Sequence, residues 1–139
     1  MGAQTKSLDM AEILMEAYQL ADRINESEEV KRYLQLKERL DADPEVRRLI
    51  GEFRRKKEKF EEAQRFGHFH PDYHAAKEEA ESFQEKMARH PLIAEFLEAE
   101  EQLDRLLNEV SRTIAHAVSE SVRVPVNDPR PIKRRNCSG

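Results

Sequence analysis

The densest gathering of titratable side chains in the 139-residue sequence is Phe66-Gly67-His68-Phe69-His70-Pro71-Asp72-Tyr73-His74. Imidazole and carboxylate are ordinary zinc ligands, so the segment invites a metal reading. Its spacing argues against one. His70 and His74 are four apart and could share a helical face, yet no Glu stands where a zinc-hydrolase helix carries its general base, and no third ligand lies nearby in sequence. A structural role explains more. Gly67 can end one helix in a left-handed conformation, Pro71 can open the next, and Phe66, Phe69 and Tyr73 can pack the corner between them.

Other chemistry has less to stand on. The carboxylates of Glu78, Glu79, Glu81, Glu98, Glu100 and Glu101 alternate with Lys and Arg along stretches that already have an apolar face, which is the pattern of a solvated helix surface. There is no Gly-rich phosphate loop, no Ser-His-Asp order on a strand-to-helix turn and no pair of cysteines, so no catalytic residue is assigned and the chain is not expected to be an enzyme. Arg47, Arg54 and Arg65, or Arg48, Arg55 and Lys59, recur at helical spacing and could offer a basic face to RNA or to an acidic partner. Glu58, Glu61 and Glu62 interrupt that face, and no aromatics are interleaved on it as a stacking platform for single strands would need.

The elements that must position these residues are helices. Asp9 caps a first helix whose stripe is Met10, Ile13, Leu14, Ala17, Tyr18, Ala21 and Ile24. Asn25 with Glu28 reads as a capping-box variant restarting the chain into a second helix with Val30, Tyr33, Leu34 and Leu40, ending near Asp41. Asp43-Pro44 is the clearest start signal, because Asp caps free amides and Pro at the first helical position forfeits no hydrogen bond. The third helix runs from there to Gly67. His70-Pro71 opens a fourth, with Tyr73, Ala76, Ala80, Phe83 and Met87 stepping by three or four. His90-Pro91 opens a fifth, where Leu92, Ile93, Phe96, Leu103, Leu106, Leu107, Val110, Ile114 and Val118 sustain the pattern for about thirty residues, ~45 Å of helix. The expected fold is all-α, with about five helices including a long antiparallel hairpin, elongated and oligomeric. Residues 1–122 form one helical domain in this reading. Pro125, Pro129 and Pro131 break any regular structure beyond, so residues 123–139 are expected to form a basic, flexible tail.

Composition bounds the function. With 38% hydrophobic and 37% charged residues and no Trp, the chain has little with which to enclose a large cavity. The net charge of −4 is uneven: Arg123, Arg130, Lys133, Arg134 and Arg135 against Asp128 give the tail +4 and leave −8 for the rest. An acidic body disfavours wrapping nucleic acid, although the tail could touch phosphate. No run approaches the ~20 apolar residues of a membrane span and the N-terminus has no export signal, so no membrane insertion is expected and the expected address is the cytoplasm. A single cysteine, Cys137, excludes an internal disulfide framework.

Two separated motifs carry a resemblance. Gln64-Arg65-Phe66-Gly67 followed by His70-Pro71-Asp72-Tyr73, and then Glu109-Val110-Ser111 with Ala117-Val118-Ser119-Glu120 and Val124-Pro125, are similar to the YlbF branch of the YlbF/YmcA family of Gram-positive bacteria, over about Leu14 to Pro129. The resemblance implies an all-helical oligomer with a regulatory role, joining YmcA-like and YaaT-like partners in a complex that directs ribonuclease Y in mRNA maturation and affects competence, sporulation and biofilm formation. It also implies an iron–sulfur cluster in the assembled complex and aligns Cys137 with the first thiolate of a Cys-rich tail. Only Ser138 and Gly139 follow, and one thiolate cannot hold a cluster.

The seams of the fourth and fifth helices, at Phe83, Met87, Phe96, Leu103, Leu106, Leu107, Val110 and Ile114, are the expected partner interface of an adaptor. The alternatives are an RNA-binding accessory using the third helix and the basic tail, or a helical scaffold that assembles with itself.

Overall fold

The computed structural model describes residues 9–125, and five α-helices account for most of them. They are α1 (Met10–Asn25), α2 (Glu28–Ala42), α3 (Pro44–Arg65), α4 (Pro71–Ala88) and α5 (Pro91–Val118). Cys137 and most of the basic tail lie outside the described residues.

Local chemistry sets each boundary. The amide of Ala11 donates to Asp9 Oδ1 at 3.0 Å, and the amides of Glu45 and Val46 donate to Asp43 Oδ1 at 2.9 and 3.2 Å. Between α1 and α2 the cap is Ser27, whose Oγ accepts from Val30 N–H at 3.3 Å, and not the Asn25–Glu28 box. Asn25 is spent as the last residue of α1. Gly67 follows the C-cap of α3 with φ of 88°, the single positive φ among the described residues, while its N–H donates to the Gln64 carbonyl at 3.1 Å.

The helices form two broken limbs folded back on each other. One limb is α2 and α3, separated only by Asp43, and the other is α4 and α5, separated by Arg89 and His90. Cross-limb partners keep one antiparallel register along the length. Arg32 meets Glu98 and Gln102, Arg39 meets Glu95, Phe53 stacks on Phe83, Lys56 meets Glu79, and Phe60 lies against Tyr73. α3 therefore packs on α4, α2 on α5, and the turn at residues 66–70 closes the hairpin.

In this register the two breaks, at Pro44 and Pro91, stand opposite each other. There Leu40, Val46, Leu49, Phe83 and Ile93 form the core, flanked by Phe53, Met87, Leu92 and Phe96. Val46 is the most enclosed, with no exposed surface. α1 stands apart, with no buried residue of its own.

Candidate partner interface

The α3–α4 turn holds the histidines without gathering them around a point. His70 Nδ1 accepts from the Asp72 amide at 3.2 Å, which makes His70 the N-cap of α4. His68 and His74 each set an edge against Tyr73, with ring centroids 4.7 and 5.2 Å away. Tyr73 is buried and packs the corner as expected, but Phe66 and Phe69 do not: both are exposed, Phe69 completely. Phe66 keeps one contact there, its ring lying 5.2 Å from that of His70. No group of three or more His, Cys, Asp or Glu side chains is placed to hold a metal among the described residues.

The basic face of α3 is partly used within the chain. Lys56 Nζ donates to Glu79 Oε1 at 2.7 Å and Lys59 Nζ approaches Glu79 Oε2 at 3.4 Å, joining α3 to α4. These two hydrogen bonds, Lys56 first, hold the Glu79 carboxyl below its ordinary range. Lys56 also stands over the Phe83 ring at 5.4 Å, and Lys86 approaches it at 5.5 Å. Glu52, Arg55, Lys56, Lys59 and Glu79 line an open groove of mixed charge, in which two carboxylates accompany the cations.

The expected interface residues divide along the hairpin. Phe83 belongs to the chain's own core and is stacked 6.4 Å from Phe53. Met87 and Phe96 are half-buried against that core, with the Phe96 ring 5.3 Å from Tyr33. The physical reason is the short α3–α4 turn, which supplies α4 with a partner in the same chain. Leu103, Leu106 and Val110 are half-buried, whereas Leu107 and Ile114 are exposed. The available part of the seam therefore lies in the distal half of α5, beyond the point where α2 begins.

A second available face was present in the sequence only as a stripe. On α1, Met10, Ile13, Leu14 and Tyr18 are exposed along one side, although the same 3–4 spacing elsewhere in the chain marks buried surface.

The family model described as control of competence regulator ComK, YlbF/YmcA, matches residues 13–119. The chain belongs to the YlbF/YmcA family. Within it the chain falls in the YlbF branch, being 35% identical over 133 residues to Regulatory protein YlbF of Bacillus subtilis (strain 168), which covers 96% of this chain and 89% of that protein. It is also 30% identical over 113 residues to a UPF0342 protein of Desulfitobacterium hafniense (strain Y51), covering 81% and 89% of the two chains. Among solved structures, the crystal structure of Bacillus subtilis RicA in complex with RicF contains a chain that superposes with a TM-score of 0.73 at 36% identity, covering 83% of this chain and all of that one. The matched chain of that complex shares the all-α fold seen here. The family match begins within α1, at residue 13, and runs to the end of α5.

Proposed function

We propose that this chain is a non-enzymatic regulatory adaptor that assembles with YmcA-like and YaaT-like partners in the cytoplasm to direct ribonuclease Y-dependent mRNA maturation, and through it competence, sporulation and biofilm formation. The observation that carries the reading is the likeness, over nearly the whole chain, to a regulatory protein and to a chain solved within a complex. The physical form agrees with it. A groove along α3 and α4 is open and of mixed charge, and the exposed faces of α1 and distal α5 are apolar. Such a surface suits protein contact.

The proposal includes an iron–sulfur cluster only as a property of the assembly. A cluster needs several thiolates, and this sequence brings one, Cys137. The remaining ligands would come from outside these 139 residues, and no step of the adaptor function is routed through the cluster.

The test is the mass in solution, by light scattering, of this chain mixed with a YmcA-like protein at low and high salt. A mixed species that persists at high salt is expected, because an apolar contact is insensitive to screening. Failure to mix would sink the adaptor reading. Binding to RNA that falls steeply with salt, in place of protein binding, would favour the accessory role for α3 and the tail.

A further inference from the structure

We propose that the outer face of α3, where Arg47, Arg48, Arg54 and Arg55 surround Gly51, is a further docking surface, and that its partner is an acidic α-helix of another protein. The arginines stand three and four residues to either side of Gly51, so helical geometry sets them as the corners of a patch with the glycine at its centre. All four are exposed, on the side of α3 away from Val46 and Leu49, which bury into the core. Arg48 engages Glu52 within its own helix at 3.4 Å. None of the ion pairs among the described residues involves Arg47, Arg54 or Arg55.

Gly51 distinguishes this patch from an ordinary solvated face. A glycine inside a helix lowers its stability relative to alanine, and nothing within the chain calls for one at this position. Its φ is not positive, and a Cβ built on it meets nothing within 4 Å. The missing side chain leaves a depression between the four arginines that opens to solvent. Such a depression lets a second helix come close, because the side chains at a crossing set the distance between helix axes.

Spacing and charge select the occupant. Arg47 and Arg54, like Arg48 and Arg55, are seven residues apart. That is about 10.5 Å along the axis, the same distance that separates carboxylates seven residues apart on a partner helix. Guanidinium and carboxylate then meet in bidentate pairs. Farther along the same face Glu58 and Glu62 alternate with Lys59 and Arg65. A nucleic-acid backbone, charged at every nucleotide, would run into those carboxylates, and the face has no aromatic side chain on which bases stack. A protein helix suits both stretches, with acid opposite the arginines and mixed charge beyond them.

This contact is polar and lies on α3, apart from the apolar faces on which the adaptor reading rests, so each can fail without the other. The probe is a synthetic helical peptide with Glu along one face at spacings of three, four and seven, titrated into the full-length chain at low salt. The same peptide with Gln is the control, and oligouridylate is the rival ligand. Amide NMR signals from Arg47 to Arg55 should shift saturably with the Glu peptide, with an affinity that falls as salt rises and is roughly tenfold weaker or worse for the Gln peptide. Gly51→Gln adds no charge and favours the helix, so it should raise the melting temperature while weakening the peptide by about tenfold. Replacing both Arg47→Gln and Arg54→Gln should weaken binding and leave the melt nearly unchanged. An α3 unmoved by the Glu peptide, shifts confined to the basic tail, or a Gly51→Gln chain that binds as well as the parent would overturn the proposal. So would oligouridylate that binds α3 more tightly than the peptide does.

Discussion

The imidazole of His90 places Nε2 3.7 Å from the Glu45 carboxylate, bridging the two limbs at the level where both are broken. Its other nitrogen, Nδ1, is buried without a hydrogen-bond partner, and His90 is the one N-cap residue of the five helices that makes no side-chain cap bond. At the start of α4, His70 uses the same atom to receive the Asp72 amide.

His90 is therefore a position where stability is missing. His90→Asn removes the stranded nitrogen and supplies a strong capping side chain, and should raise stability by about 0.5–1 kcal/mol. Chemical denaturation of the two proteins side by side measures it; an Asn variant less stable than the parent would show that the ring's packing matters more than its unpaired atom.

Phe83 and Leu107 were alike in the sequence and should behave oppositely on mutation. Phe83→Ala empties part of the core and should cost about 3–5 kcal/mol. Leu107→Ala, at an exposed site, should leave the unfolding of α3 and α4 nearly unchanged. Site-resolved hydrogen exchange separates the two, and equal losses would contradict the assignment of Phe83 to the core.

Gly67 tests the turn. A Cβ built there meets nothing within 4 Å, so the effect of a side chain is conformational and not steric crowding by neighbours. Gly67→Val should cost about 1–2 kcal/mol because of the positive φ, and Gly67→Asn distinctly less. Thermal melts that rank Asn below Val would argue that the left-handed conformation is not what Gly67 provides.

Glu79 predicts a pH dependence. Its carboxyl is held below the ordinary value of 4.5 by Lys56 and Lys59, so the folded state binds the proton less readily than the unfolded state. The contribution is present in full above pH 4.5 and is lost as pH falls through the lower, folded-state value. Melting temperatures of the parent and Glu79→Gln should differ slightly at neutral pH and converge in acid. A difference that does not change with pH would remove the ion pair as its cause.

Much of the architecture was legible because its signals are covalent or local. Asp43-Pro44, His70-Pro71 and His90-Pro91 open helices by geometry that no tertiary contact needs to supply, and Gly67 ends α3 by the same kind of rule. The cap at Ser27 was harder, since Asn25 and Ser27 are both capping residues two positions apart and only the hydrogen bond to Val30 decides. The interface was less legible still. A 3–4 repeat marks a face that avoids water but not the chain that covers it, and Phe83 and Ile114 satisfy that repeat equally well. The length of the 66–70 turn, which gives α4 a neighbour in the same chain, is what separates them. Phe66 and Phe69 show the converse error, as aromatic residues beside a corner were read as its packing when both are exposed.

The single antiparallel register has a mechanical consequence. Both ends of the helical region emerge from the same end of the hairpin, so tension applied between α1 and the end of α5 opens it like a zipper, one pair of turns at a time. α2 peels from α5 first, across polar contacts such as Arg32–Gln102 and Arg39–Glu95 and the aromatic pair Tyr33–Phe96. The front then reaches Val46 and Ile93, where the densest apolar packing sits across the two breaks, and stalls. The turn end of the molecule, with its exposed Phe69, is in this way shielded from tension applied at the other.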